Sequence, residues 1–592
     1  MAPGAGAPRA RAAGARAPRA RVMLRPAMPG PRRGRPRARH DRALPADAVQ
    51  PAVAPLLAVH RAAAPGADQR GLLRGYEVAE RLHQGQLRKS GAPYITHPLA
   101  VTMILAGLGM DTTTLVAALL HDTVEDTPYT LGELRADFGE EVAVLVDGVT
   151  KLDGERWGER AEAETFRKIV LAAAADLRVL VIKLADRLHN LRTLGFQPEH
   201  KRARYAKASQ ELLVPFAERL GIHMLKREMD DLAFAARDPA AHLSAAAAVR
   251  TALRDAEPAF GPALARLRIA LAEQRITGRV SIRPRHLYAV HQEREGDLDG
   301  LRPCDAARLL ILVDGDERDC YIALGAVHAA LHPIPGRVKD FIALPKFNLY
   351  QSLHTRVISP DGDLLDVIIR SRAMHPVAEY GIVAHIREAG TAAAGAVAGR
   401  RDLVWLSRLL AWQSDAPSAA FLDSLRADLA PGDVAVFTPS GEVVALPGGA
   451  TALDLAYALG PETGDLCIGA LVNGRLAALS TELRSGNVVE ILTEPGGGPS
   501  EDWLGFAVTA PARVRIRRSL DRCRAEEAAA AGRRELLRAL AARRVDLLAA
   551  EAHGDSLRIA RALGHEEVDG MYAALATGSL ALDDLLARFT GA

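Results

Sequence analysis

No run of about 18 apolar residues occurs in this 592-residue chain, which excludes a membrane-spanning helix of ordinary length. The amino terminus lacks the apolar core of a secretory signal. Cysteine is scarce. Cys304, Cys320, Cys467 and Cys523 are far apart and form no CxxC pair, which excludes a disulfide framework or a cysteine-rich zinc module and fits a reducing, cytoplasmic setting. Aromatic residues make up only 4% while apolar residues make up 49%, with alanine prominent, a balance that favours helical domains over β-sandwiches.

Net charge of one sign is also nearly absent, at +3, but it is unevenly placed. Residues 1–50 hold twelve Arg against two Asp, a surplus of +10, so the remaining chain carries −7. The folded body therefore has no bulk charge calling for nucleic acid. Residues 1–65 read as a disordered Ala/Arg/Pro-rich tail, closer to a transit peptide or an over-long start than to a binding arm.

At this length one core is insufficient, and the pattern changes character about every hundred residues. Residues 66–237 show apolar residues at three- and four-residue spacing throughout, predicting an all-α unit. Residues 238–392 alternate strands such as "RLLILVDG" and "DLLDVIIR" with helices such as "CYIALGAVHAALH", an α/β pattern. A helical linker is expected over 393–431 and a small β-grasp-like unit over 432–495. Helices return over 496–592.

What the first unit does have is acid and imidazole at the end of a buried helix. "HDTVEDT" (121–127) follows "TTTLVAALL", so His121 and Asp122 stand against an apolar segment, with Glu125 and Asp126 one turn on. His97 in "YITHP" and Asp186 in "IKLADRLHN" are the other polar residues in apolar settings, where an uncompensated carboxylate is costly. Any one of these alone is more often a hydrogen-bonded structural residue. Four within one helical unit reverse that balance. Two His and two Asp make a mixed N/O donor set suited to Mn²⁺, Zn²⁺ or Fe²⁺, leaving Glu125 and Asp126 to orient or deprotonate water.

"RKSGAPYITHP" (88–98), "HDTVEDT", "VTKL" (149–152), "AETFRKI" and "KLADRLHNLRTL" (183–194), in this order, resemble the hydrolase domain of the Rel/SpoT-type (p)ppGpp synthetase/hydrolases, of the HD superfamily. The resemblance runs from about Gly71 to the end of the chain. It implies Mn²⁺ on His97, His121, Asp122 and Asp186, catalysis by Glu125 and Asp126 at the 3′-pyrophosphate, and guanosine held by Arg88, Lys89, Asn190 and Thr193. A planar guanidinium that stacks on a base, and an amide that both donates and accepts, are the expected chemistry for the last task.

Residues 281–388 resemble the family's nucleotidyltransferase-like synthetase domain. "PGRVKDFIALPKFNLYQSLHT" (335–355) keeps Arg337, Lys339, Lys346, Asn348, Tyr350, Gln351 and His354 as nucleotide-binding candidates, joined by Arg283 in "IRPRH". Elsewhere the pattern departs. With Arg308 taken as the arginine that opens a strand, the resemblance places Pro303 where the family has a Mg²⁺-binding aspartate. It also places Glu293 where the family has lysine, Asp366 where it has glutamate and Ile368 where it has glutamine. Asp305 substitutes only if the loop is re-registered. The expectation is a degenerate synthetase that retains a basic loop, with Mg²⁺ as cofactor only if it is active and GTP, GDP or ATP as its nucleotides. The β-grasp-like unit resembles a TGS domain, and Gly460 stands where relatives carry a histidine, which weakens contact with tRNA or the ribosome. Besides a hydrolase with an inert second domain, a bifunctional enzyme and a non-catalytic ribosome- or tRNA-associated regulator remain open.

Overall fold

The computed structural model describes residues 51–150, 159–389 apart from 347, and 434–590. Most of the basic tail and the expected linker over 393–431 lie outside the described residues. Among the described residues no helix is long and apolar enough to cross a membrane.

The first unit is all helical, as its periodicity predicts. Its core runs from Val53 to Ala233 and buries both faces of Thr112–Leu120. That helix starts where Asp111 Oδ1 accepts from Thr114 N–H at 2.9 Å, satisfying one of the orphan donors of the first turn. The preceding helix, Thr96–Leu108, ends on Gly109 with φ +80°, a left-handed cap that a side chain disfavours. The expectation of a disordered segment through residue 65 is corrected here. Ala54–Ala63 is a helix whose Val53, Leu56 and Leu57 are buried, and His60 Nε2 is 3.0 Å from Thr112 Oγ1. The Arg/Pro-rich composition of 1–50 gives way at "VAPLLAVHRAAA" to the apolar spacing of a docked helix.

The second unit is α/β. Gly278–Pro284 pairs antiparallel with Ala307–Val313, which lies parallel to Leu364–Ser371. Leu353–Ile358 then pairs antiparallel with Leu364–Ser371. The helices Ala256–Glu273 and Glu317–Ala330 cover one face of this sheet and close a separate core. The sequence boundary at 237/238 does not separate the cores cleanly. Ile382, Val383 and Ile386 of the helix Ile382–Ala389 are buried in the first core, and Ile382 N–H donates to Leu220 O at 2.9 Å. Gly381 sits at φ +54° against the Leu220–Gly221 backbone, and a Cβ there would collide with Leu220 O.

A half-buried ion cluster joins the two units. Glu379 accepts from Arg227 of the first unit at 2.8 Å and from Arg283 and Arg370 of the second at 2.5 and 2.7 Å. Burial disfavours the charged carboxylate, but Arg283, Arg370 and Arg227 outweigh it and hold the Glu379 carboxyl well below its usual range. Its stabilising contribution is therefore complete above the ordinary glutamate range and is lost as pH falls through the depressed native value. Glu379→Gln is expected to leave three guanidinium groups short of charge and to cost about 3–5 kcal/mol. The measurement is thermal denaturation, and an unchanged midpoint at neutral pH refutes the assignment.

The third unit has Val434–Phe437 paired with Val443–Leu446, and a sheet in which Cys467–Val472 lies between Arg475–Ala477 and Val489–Thr493, crossed by the helix Ala452–Leu459. Asp454 Oδ1 receives the N–H of Thr509 at 2.7 Å, tying this unit to the long helix Ala510–Ala541 of the carboxyl-terminal helical region.

Candidate active site

His121 and Asp122 prolong the buried helix Thr112–Leu120, and one further turn, Thr123–Asp126, carries Glu125 and Asp126. His97 comes from the second residue of the helix Thr96–Leu108. Asp186 comes from the middle of Arg178–Arg192, a helix buried along Arg178–Asp186. These helices bring the four side chains to one buried point. His97 Nε2 is 3.4 Å from Asp122 Oδ2 and 3.3 Å from Asp186 Oδ1, and His121 Nε2 is 3.2 Å from Asp122 Oδ1. Ligand atoms of His97, His121 and Asp186 all lie within 4.8 Å of one another. Donors about 2.1 Å from one ion stand about 3 Å apart across a right angle, so this spacing suits a single cation.

The local hydrogen bonds point the same way. His121 Nδ1 donates to Ala118 O at 2.9 Å, which leaves Nε2 as a bare acceptor, buried and without a hydrogen-bond partner. Burial opposes ionisation of Asp122, but His121 and His97 outweigh it and keep the carboxyl well below its usual range. Burial likewise opposes ionisation of Asp186, and Lys183 and His97 reverse it. Two carboxylates held as anions, together with an orphaned imidazole nitrogen, form a donor set that fits a divalent metal.

Three neighbours were not singled out from the sequence. His189 Nδ1 lies 2.7 Å from His97 Nδ1, and burial, then His97 and Arg88, push its pKa down to about 4, so the ring is neutral and can accept. Lys183 Nζ is 3.2 Å from Asp186 Oδ2. Tyr94 Oη lies 2.8 Å from Asp122 Oδ2 and 2.6 Å from Asp126 Oδ2, linking a prospective ligand to a prospective base. Signals for two of them were present: Lys183 interrupts the apolar run "VLVIKLA", and His189 follows Asp186 by three residues on one helical face.

Of the nucleoside candidates, Arg88 and Asn190 meet, with Arg88 Nη2 donating to Asn190 Oδ1 at 3.2 Å and Asn190 Nδ2 donating to Asp186 Oδ1 at 2.6 Å. Lys89 Nζ donates to Gln197 Oε1 at 2.6 Å. The Thr193 hydroxyl donates back to His189 O at 3.1 Å on its own helix.

The second unit holds a basic cleft. One cavity of about 230 Å³ is walled by Arg308, Arg337, Lys339, His354, Arg356 and Asp366, among others. An adjoining cavity of about 250 Å³ shares Arg308, His354 and Ile368 and continues past Lys346 and Tyr350 to His223 and Arg227 of the first unit. Burial, then Lys346 and Arg308, push His354 down to about 3, and its Nε2 lies 2.8 Å from Tyr350 Oη. Two candidates are engaged by protein groups: Arg283, in the wall of the adjoining cavity, is clamped on Glu379, and Asn348 Nδ2 donates to Glu218 O across the junction at 3.1 Å. For Gln351 only a backbone role is seen, its carbonyl accepting from Ser352 Oγ at 2.5 Å.

The carboxylates of this cleft are committed. Arg356 forks onto Asp366 at 2.7 and 3.2 Å, and Arg308 Nε is 3.5 Å from Asp366 Oδ2. Asp305 faces Arg302, accepting from its backbone N–H at 3.2 Å, while Pro303 opens the short helix Pro303–Ala306. Glu293 is paired with Arg285. The one carboxylate lining the 230 Å³ cavity, Asp366, is thus paired with two guanidinium groups.

Comparison with known proteins agrees with this partition. The family model described as "HD domain" matches residues 75–223, "Region found in RelA / SpoT proteins" matches 287–389, and "TGS domain" matches 434–493. A Streptomyces coelicolor protein named GTP pyrophosphokinase is 44% identical over 570 residues, covering 92% of this chain and 67% of its own. The Mycobacterium tuberculosis "Bifunctional (p)ppGpp synthase/hydrolase RelA" is 46% identical over 555 residues, covering 91% and 74%. The Escherichia coli "Bifunctional (p)ppGpp synthase/hydrolase SpoT" is 42% identical over 475 residues, covering 79% and 67%. The helical site, the α/β unit and the small β unit thus follow one known order, and the chain belongs to the RelA/SpoT family of enzymes in its long form, with HD, RelA/SpoT and TGS domains.

Proposed function

We propose that this chain removes the 3′-pyrophosphate of (p)ppGpp, yielding GDP or GTP and pyrophosphate, and that its second domain transfers pyrophosphate poorly or not at all. The observation that carries the first part is the buried convergence of His97, His121, Asp122 and Asp186, with His121 Nε2 left unpartnered. These four would hold the cation; their mixed N/O donors suit Mn²⁺, Zn²⁺ or Fe²⁺, of which the family resemblance implies Mn²⁺. When bound, the ion supplies positive charge that acidifies an attacking water and offsets the phosphate charge.

The chain's own groups do the rest. Glu125 and Asp126 take the water proton as its oxygen attacks the phosphorus on the 3′ oxygen. That P–O bond breaks, the proton held by the carboxylate passes to the leaving 3′ oxygen, which becomes a hydroxyl, and pyrophosphate departs with the water's oxygen. Tyr94, bonded to Asp126, keeps that carboxylate turned toward the site. Arg88 and Asn190 take the guanosine, with Lys89 and Thr193 at the same edge.

The bifunctional reading draws on the names of the relatives and on the basic loop retained at Arg337, Lys339, Lys346 and Tyr350. Against it stands the clamped Asp366. Incubation with Mn²⁺ and ppGpp, followed by product separation, tests the hydrolase. Intact ppGpp after prolonged incubation overturns it.

Two consequences can be measured. Glu125→Gln/Asp126→Asn is expected to keep its metal and to lose about 10²–10⁴ in turnover. Near-normal turnover assigns water activation to the cation alone. His189→Leu removes the partner that keeps a proton on His97 Nδ1 and the lone pair on Nε2, so Mn²⁺ affinity should fall about 10–100-fold in calorimetry, with partial rescue by His189→Gln. Unchanged affinity in the Leu variant removes His189 from the site.

A further inference from the structure

The segment "HQGQLRKSGAPY" (83–94) leaves the helix Arg70–Leu82 and folds back on itself, with Leu87 bridged to Pro93 and Arg88 N–H donating to Ala92 O at 2.8 Å. Gly91, at φ +81°, turns the tip, and its N–H donates to Arg88 O at 2.8 Å. This tip carries Arg88 and Lys89, the candidates for the guanosine. The base of the same loop reaches the carboxylates, because Tyr94 Oη bonds Asp122 and Asp126. Gln86 ties the two ends together. Its carbonyl accepts from Tyr94 N–H at 3.0 Å, its Nε2 donates to Asp126 O at 3.0 Å, and its Oε1 lies 2.8 Å from His83 Nδ1. A carbonyl can only accept, so the amide nitrogen must face Asp126, and the amide oxygen then requires the proton of His83 on Nδ1. His83 is buried and stacked on the Tyr94 ring, with centroids 4.6 Å apart, which fixes the imidazole that orients the amide. Asp126 O ends the single turn Thr123–Asp126, where helical carbonyls run out of partners within the helix.

We propose that Gln86, oriented by His83, is a positioning residue for the hydrolytic step. It pins the turn that carries Glu125 and Asp126 to the loop that carries Arg88 and Lys89, so the water-activating carboxylates stand at a fixed place relative to the bound nucleoside. The inference rests on the hydrolase reading above. Among the described residues the side-chain hydrogen bonds of Gln86 run to His83 and Asp126, and to no metal candidate. Its link to Tyr94 is made by the backbone and survives a change of side chain. Loss of the side chain therefore leaves the cation and the nucleoside loop in place and frees only the carboxylate turn. A reacting group that wanders is costly in the chemical step and nearly silent in ground-state binding.

The test is Gln86→Met in the full chain, which keeps the length of the side chain and removes both of its hydrogen bonds. With Mn²⁺ and ppGpp, kcat should fall about 10–100-fold while KM stays within about twofold of wild type. Mn²⁺ content by elemental analysis should be unchanged. His83→Phe keeps a ring against Tyr94 but loses the orienting N–H, so it should lower kcat in the same direction and by less. In the Glu125→Gln/Asp126→Asn background, Gln86→Met should cost less than about threefold more, because the carboxylates it positions are already gone. Wild-type kcat in Gln86→Met, a loss carried by KM, a loss of Mn²⁺ or of the fold, or a full second loss in the carboxylate-free background each overturns the proposal. Wild-type protein that leaves ppGpp intact overturns the hydrolase reading and this proposal with it. Active wild-type protein with an equally active Gln86→Met overturns this proposal alone.

Discussion

Asp122→Ala and His121→Ala should each strip the bound metal and the hydrolase activity together. Asp122 reaches both imidazoles, at 3.2 and 3.4 Å, so its removal deletes a ligand and also the anion that favours cation binding by the pair. His121 Nδ1–H donates to the Ala118 carbonyl, which keeps the proton on that nitrogen and leaves Nε2 bare for the cation. Losing the charge that acidifies the attacking water is worth about 5 kcal/mol, a fall in rate on the order of 10⁴. Elemental analysis of purified protein measures the metal, and ppGpp turnover measures the rate. Wild-type Mn²⁺ content in both variants would falsify the ligand assignment. Lost activity with retained metal would instead make Asp122 an orienting group.

The four metal candidates were legible in the sequence because each breaks an apolar helical pattern, and burial of a charge without compensation is a strong signal. Their supports were less legible. Tyr94 acts across 28 residues on Asp122, and His189 across 92 on His97, separations that only the helix packing closes. The fold classes of the three units followed from periodicity. What periodicity did not reveal was the seam between the first two. Ile382, Val383 and Ile386 have the spacing of any amphipathic helix, and nothing local says that their apolar face belongs to the other core. The docked helix Ala54–Ala63 was missed for the opposite reason, its own apolar spacing being masked by the composition before it.

The same limit applies to the second domain, where the sequence pointed to Pro303, Glu293 and Asp366 as departures but not to Arg356 as the group that occupies Asp366. In an Asp122→Ala background, which preserves any product, the chain is expected to make no detectable (p)ppGpp from Mg²⁺, ATP and GDP. Transfer of a pyrophosphoryl group relies on positioning and on metal charge, and a neutralised carboxylate withholds the metal. The expected deficit is several kcal/mol of barrier, on the order of 10²–10⁴ in rate. Pro303→Asp alone should not restore synthesis. Glu293 remains paired with Arg285, and Arg356 still forks onto Asp366. The fuller restoration is Pro303→Asp, Glu293→Lys and Asp366→Glu with Arg356→Ala, which frees the second carboxylate and returns a lysine. Product from that variant and none from its parent confirms that the guanidinium clamp and the lost ligand block transfer. Product from the Asp122→Ala parent itself shows that transfer chemistry survives, and Asp305, three residues before Arg308, then becomes the ligand to replace next.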